Sequence, residues 1–161
     1  MGMTIRRMTK ADIADVAAVA ITSWHTTYAG IIPIDIQTKY LQRDYSEEAL
    51  LFRLEHTHFF LALIGEKVVG FANFSLADKN GEVELGTIYL LPSVIGQGIG
   101  SALLDTGMTH IDGISSVLVH VEKHNQRAIQ FYERKGFVFV KKVCEIFYGQ
   151  PVESYRYLLT R

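Results

Sequence analysis

Apolar residues in the first third of the chain repeat every three or four positions, the spacing of a helix with one buried face. The first such set begins after Thr9 and ends at Trp24, and its members are Ile13, Val16, Ala17, Ala20 and Trp24. A second helical region follows from Asp35, in which Ser46 is placed to cap a later piece. A short strand, MTIRRM, precedes both, so the chain is predicted to open β-α-α.

The middle of the chain changes to the patterning of strands. HFFLALIGEKVVGFANFSL predicts two strands around a turn at Gly65-Glu66-Lys67. Asn80-Gly81 then lies between two strand-like runs, which is a strong hairpin signal, and EVELGTIYLL is the run that follows it. We therefore expect a three-stranded antiparallel meander over residues 59–91.

The last third returns to alternating helices and strands. A helix follows residue 98, SVLVHVE reads as a strand, and NQRAIQFYERKG reads as a short helix capped by Asn125 and ended by Gly136. FVFVKKVCEIFYG and ESYRYLLT are the final two strands. The order β-α-α-β-β-β-α-β-α-β-β predicts one mixed α/β domain over residues 1–161.

Composition narrows the class of protein. The chain has 161 residues, 48% of them hydrophobic and 20% charged, and a formal net charge of -1. A neutral balance without a basic run argues against nucleic-acid binding. The single cysteine, Cys144, cannot form an internal disulfide, and no apolar run is long enough to cross a membrane or to form a signal peptide. We expect a cytoplasmic protein.

Three glycines, Gly96, Gly98 and Gly100, stand in the stretch LLPSVIGQGIGSALL, between a predicted strand and a predicted helix. The first amides of a helix have no partners inside it, and the helix dipole makes that end attractive to phosphate. Glycines let a phosphate approach the backbone. A tight turn without a ligand remains the alternative at this point.

Two common phosphate-binding motifs do not fit this stretch. A P-loop needs Gly-Lys-Ser/Thr, but Gln97 and Ile99 follow the glycines. A dinucleotide fold needs Gly or Ala where Ser101 stands, and it needs more chain after Glu122 than the sequence provides.

The stretch resembles the signature of the GCN5-related N-acetyltransferases, Arg/Gln-x-x-Gly-x-Gly/Ala after a strand ending hydrophobic-x-Pro. Leu90-Leu91-Pro92 and Gly98 and Gly100 match, whereas Ile95 departs from the Arg or Gln of the first position. A second match, Asn-x-x-Ala-x-x-x-Tyr-x-x-x-Gly-Phe, covers residues 125–137. The resemblance is to small bacterial acetyltransferases. It implies one N-acetyltransferase domain, with a mixed, mostly antiparallel sheet and helices on both faces.

This resemblance also implies acetyl-CoA as co-substrate, with the pantetheine arm between two splayed strands that end at Leu90 and Glu122. The Leu90 N–H would stabilise the oxyanion, and the glycine stretch would hold the pyrophosphate. The implied coenzyme contacts are Ile88, Leu90, Gly96, Gln97, Gly98, Ile99, Gly100, Ser101, Asn125 and Tyr132.

The same resemblance implies how protons move during acetyl transfer to an amine. Tyr132 is the candidate general acid for the departing thiolate. Glu84, on the strand before the glycines, and His120, on the next strand, are rival candidates for the general base. His120, Glu122 and His124 alternate along the sequence as ligands on one strand face would, which could suggest a metal site. No metal is expected, because His124 falls past the end of the predicted strand.

The acceptor is the least determined feature. Trp24, Tyr28 and Tyr148 are candidate substrate contacts, because the family builds its acceptor cleft from the first helices and the last strands. A small amine such as a polyamine is the leading expectation. A protein N-terminal or lysine acetyltransferase and an acetyl-CoA-binding regulatory module without useful catalysis stay open, as does a homodimer.

Overall fold

A computed structural model describes residues 2–161, in which seven strands form one sheet with five α-helices packed against it. The strands are β1 (Met3–Arg7), β2 (His58–Ile64), β3 (Lys67–Phe74), β4 (Glu82–Leu90), β5 (Ser116–Glu122), β6 (Val138–Phe147) and β7 (Gln150–Thr160). The α-helices are α1 (Ile13–Thr27), α2 (Ile34–Asp44), α3 (Glu47–His56), α4 (Ile99–His110) and α5 (Gln126–Arg134). The predicted element order is confirmed, with the second helical region divided into α2 and α3.

The sheet is mostly antiparallel, as predicted. Its strand order is β1-β2-β3-β4-β5-β7-β6, and only β4 and β5 pair in parallel. Helices cover both faces. Trp24 of α1 and Leu50 of α3 pack with Phe71 on one face, and Leu103 of α4 packs with Phe74 on the other. Helix α4 approaches β3 closely at Gly107, which lies against the Phe74 ring.

The pairing of β4 with β5 is short. Only residues 82–84 of β4 pair with residues 116–118 of β5, although both strands continue further. The register of β4 against β3 shifts between Leu85 and Thr87, which leaves Gly86 as an extra residue. A bulge of this kind bends a strand and increases its twist. Meanwhile β5 stays paired to β7 over residues 116–122, so β4 and β5 diverge.

Local capping explains several element boundaries. The Ala49 N–H donates to Ser46 Oγ at 3.1 Å, and the Ala128 N–H donates to Asn125 Oδ1 at 3.2 Å, as expected for N-caps. The hairpin predicted at Asn80-Gly81 is confirmed, because β3 and β4 pair in antiparallel fashion on either side of that dipeptide. The connection between β3 and β4 runs over residues 75–81, because the Asp78 carboxylate accepts from the Asn80 and Glu82 N–H groups and stabilises a wider turn.

A partly buried ion pair fixes the junction between β1 and α1. Arg6 donates to both Asp12 carboxylate oxygens, at 2.8 and 3.0 Å, and the Thr9 N–H and hydroxyl donate to Oδ2 at 2.7 and 2.9 Å. These donors, the Arg6 guanidinium first among them, lower the pKa of Asp12 from 3.8 to about 2. The ionised carboxylate therefore stabilises the folded state.

We predict that Asp12→Asn lowers the free energy of unfolding by about 2 kcal/mol at pH 7. Because the folded-state pKa is depressed, the contribution of Asp12 is complete above its unfolded pKa near 3.8 and is lost as the pH falls towards 2. The variant should therefore lose less stability than the wild type over that range. Urea unfolding at each pH measures both.

The matched control is Asp15→Asn, because Asp15 is exposed on the first turn of α1. Its unfolding free energy should stay within about 0.5 kcal/mol of the wild type. Equal effects of the two substitutions would show that the Asp12 pair does not stabilise the junction.

Candidate active site

The gap between β4 and β5 exposes backbone groups of β4. The Leu91 N–H donates to the Val69 carbonyl at 2.8 Å, and Leu90 is the partner of Gly70 in the register with β3. Backbone bonding alternates along an antiparallel strand, so the N–H and C=O groups of Ile88 and Leu90 point away from β3. They face the gap, where an extended ligand could bond to them.

The glycine stretch forms the turn between β4 and α4. Gly96 and Gly98 have φ angles of +87° and +81°, a conformation that residues with a Cβ rarely adopt. The first bond of α4 runs from the Ala102 N–H to the Gly98 carbonyl. The amides of the three preceding residues have no partner within the helix and form the kind of N-terminus that binds anions.

A cavity of 520 Å³ joins the gap to this turn. Its lining includes most of the predicted coenzyme contacts, namely Ile88, Leu90, Gly96, Gly98, Ile99, Gly100, Ser101, Asn125 and Tyr132. Of the residues predicted for the acceptor, Tyr28 lines it too. Gln97 is exposed between the two glycines, outside this lining, so nothing in the geometry supports its predicted contact.

Sequence reasoning missed several polar residues of this cavity, among them Ser23 and Thr27 on α1 and Arg127, Gln130 and Arg134 on α5. The signal was present as helical spacing, since Ser23 and Thr27 are one turn apart and the two arginines are two turns apart. The arginines bring positive charge to the same cavity that the turn lines, and in that turn Ile95 replaces the Arg or Gln of the motif.

Two phenols meet in the cavity. Tyr132 is buried on α5, and burial, with a smaller effect of Tyr28, raises the pKa of Tyr132 above its ordinary value. Burial likewise raises the pKa of Tyr28 to about 12. Both phenols therefore stay protonated at neutral pH and can each donate a hydrogen bond or a proton.

The two residues predicted as rival bases lie side by side. His120 Nδ1 is 3.6 Å from Glu84 Oε1, across the point where β5 and β4 part. Alternate residues of β5, such as Val119 and Val121, face the core, so His120 faces the opposite side of the sheet. That side is the one on which α1 lies.

The predicted acceptor residues come together in an aromatic cluster at the same side of the sheet. The ring centroid of Trp24 lies 4.5 Å from that of Tyr28, 4.3 Å from that of Tyr40 and 6.2 Å from that of Phe147. Tyr148 packs on Phe147 at 4.9 Å, at the tip of the β6–β7 hairpin. Trp24 is buried and the indole Nε1 has no hydrogen-bond partner among the described residues.

Within residues 2–161, the structure brings no three His, Cys, Asp or Glu side chains into a group suited to a metal ion. None of the helices in this part of the chain combines the length and apolar character needed to cross a bilayer.

Comparison with known proteins identifies the family. The profile of the acetyltransferase (GNAT) family matches residues 19–137. The uncharacterized N-acetyltransferase YuaI of Bacillus subtilis is 36% identical over 138 residues, which are 81% of this chain and 78% of YuaI. A spermidine N(1)-acetyltransferase of Thermoplasma acidophilum is 27% identical over 145 residues, 85% of this chain and 89% of that protein.

A solved structure shows the same fold. The PaiA N-acetyltransferase of Thermoplasma acidophilum, in complex with coenzyme A, superposes with a TM-score of 0.85 and 24% identity over 100% of both chains. The chain also matches mycothiol acetyltransferases, but spans only 25% to 28% of the length of three of these proteins. The two motifs and the splayed sheet therefore have one explanation: the chain belongs to the acetyltransferase (GNAT) family.

Proposed function

We propose that the protein is an acetyl-CoA-dependent N-acetyltransferase that acts on a small amine such as a polyamine. One observation carries this proposal. The free backbone groups of Ile88 and Leu90, the amides at the start of α4 and the phenol of Tyr132 all open onto one cavity. These groups would bind an extended ligand that ends in a phosphate, since the helix amides would bind the phosphate and the backbone groups of β4 would bind the rest of the ligand.

Residues of the cavity are candidate partners for the phosphates and for the pantetheine arm of the coenzyme. The amides of residues 99–101 and the two arginines of α5 would hold the phosphates. Backbone groups of Ile88 and Leu90 would pair with the amides of the pantetheine arm, as a neighbouring strand does. When bound, acetyl-CoA supplies the thioester whose carbonyl carbon the amine attacks.

Each of the three steps of acetyl transfer, namely stabilising the oxyanion, protonating the thiolate and deprotonating the ammonium, has a candidate residue. The Leu90 N–H would donate to the carbonyl oxygen as negative charge develops there. Tyr132 would give its proton to the sulfur as the C–S bond breaks. Glu84 or His120 would take the proton that the acceptor ammonium must lose before attack.

The polyamine expectation rests on the aromatic cluster and on a relative. Ring faces such as those around Trp24 and Tyr28 attract cations, and the Glu122 carboxylate lies near enough to Tyr28 to influence its pKa. The spermidine acetyltransferase similar over 85% of this chain supports the same substrate class.

A panel of acceptor amines, assayed with acetyl-CoA, tests this function. We expect thiol release from acetyl-CoA to rise strongly with a polyamine and weakly with aminoglycosides, free amino acids or peptides with free N-termini. The rate without acceptor is subtracted. A peptide as the strongest responder would instead indicate a protein acetyltransferase, and no response despite coenzyme binding would indicate a binding module.

Gly98→Glu is predicted to weaken acetyl-CoA binding at least 100-fold, measured by calorimetry. The carboxylate would stand where the phosphate binds and would repel it. Gly113→Glu is the matched control, because Gly113 follows α4 with a φ of +74° and, like Gly98, has open space where a side chain would begin. Similar losses in both variants would contradict the phosphate-binding role of the turn.

Tyr132→Phe is predicted to lower kcat about 100-fold with acetyl-CoA affinity within twofold of the wild type. The substitution removes one oxygen and keeps the ring that packs on Phe137. Tyr157→Phe is the control, since that buried phenol on β7 bonds Glu133 outside the cavity. An unchanged kcat for Tyr132→Phe would eliminate the phenol as the acid.

A further inference from the structure

A third side chain joins the pair formed by Glu84 and His120. Arg156 of β7 is the direct register partner of His120 of β5. Its Nε–H donates to His120 Nε2 at 3.0 Å. The three side chains thus form a chain across three strands, running from Arg156 through His120 to Glu84.

The hydrogen bond from Arg156 determines the protonation and the tautomer of His120. A guanidinium is always protonated in proteins and has no acceptor atom, so it can only donate. His120 Nε2 must therefore present a lone pair to Arg156. The ring is then neutral, and its proton lies on Nδ1, the nitrogen that faces Glu84 at 3.6 Å.

We propose that Arg156 is a positioning residue that holds His120 as the Nδ1–H tautomer, so that His120 orients Glu84 and Glu84 accepts the proton of the amine. This assignment rests on the acetyltransferase function proposed above. The assignment selects Glu84 over His120 as the general base. The Nε2 lone pair of His120 is occupied by Arg156 and Nδ1 carries a proton, so His120 has no free lone pair.

Glu84 has the free acceptor that His120 lacks. Its side chain is 53% exposed, which leaves a carboxylate oxygen open to the solvent on the α1 side of the sheet. The proton leaves the ammonium nitrogen as its N–H bond breaks, and a new O–H bond forms at Glu84, directly or through one water molecule. The neutral amine that remains is the nucleophile.

The tautomer of His120 is measurable without any substrate. Long-range ¹H–¹⁵N NMR spectra of ¹⁵N-histidine protein, recorded at about pH 8 where an ordinary imidazole is neutral, distinguish the two ring nitrogens. His120→Gln assigns the signal. We expect Nδ1–H in the wild type and a shift towards Nε2–H in Arg156→Met. A wild-type His120 with its proton on Nε2, or an unchanged tautomer in Arg156→Met, would overturn the proposal.

Lys141→Met is the matched control. Lys141 is the neighbour of Arg156 on β6, so the variant removes the same charge from the adjacent position. It should leave the His120 tautomer as it is in the wild type. The same tautomer change in both variants would mean that general electrostatics, not the Arg156 hydrogen bond, sets the tautomer, and would refute the proposal.

Kinetics test the consequence for proton transfer. We expect kcat to fall about 100-fold in Glu84→Gln, about 10-fold in Arg156→Met and within twofold in Lys141→Met, with KM for acetyl-CoA unchanged in all three. A larger loss of kcat in His120→Gln than in Glu84→Gln would refute the assignment. A flat acceptor panel would refute the function itself, while the NMR result would still decide whether Arg156 sets the tautomer.

Discussion

The divergence of β4 from β5 is the constraint on which the rest of the site depends. Two adjacent strands normally satisfy each other's backbone groups, and unpaired groups away from water are costly. Here the pairing stops after three residues, and the β4 groups beyond the Gly86 bulge face a cavity instead. Strand β5 stays paired with β7 over residues 116–122, so closing the gap would require β5 and β7 to move together. The opening is therefore built into the sheet before any ligand binds.

Elements on both faces of the sheet border this opening. Helix α4 begins at Ile99, after the glycine turn that follows β4, and packs on one face of the sheet. Helix α1 and the β6–β7 hairpin stand on the other side, with Trp24 and Phe147 in one aromatic cluster. On the function proposed above, a coenzyme bound on the α4 side and an amine that approaches from the α1 side would meet at the gap beside Leu90.

The sequence predicted features that depend on neighbouring residues. Helices and strands follow from hydrophobic spacing, and the turn before α4 follows from glycines that are two residues apart. The same holds for Asn125, which caps the helix it precedes. The β3–β4 hairpin follows from Asn80-Gly81 in the same way, but Asp78, a residue outside the dipeptide, widens its connection by accepting two backbone hydrogen bonds. A local signal predicts that a turn forms, while a side chain just outside it determines how long the turn is.

Features that depend on distant pairing could not be predicted in this way. His120 and Arg156 are 36 residues apart, and so are Glu84 and His120, yet strand register brings all three together. The same β6–β7 hairpin that provides Arg156 also carries Tyr148 to the aromatic cluster. The predicted coenzyme contacts thus lie in two short continuous segments, while the aromatic cluster is assembled from the first helices and the last hairpin. On the function proposed above, a substitution in the last hairpin would alter amine recognition and proton transfer together, without disturbing the segments proposed to hold the coenzyme.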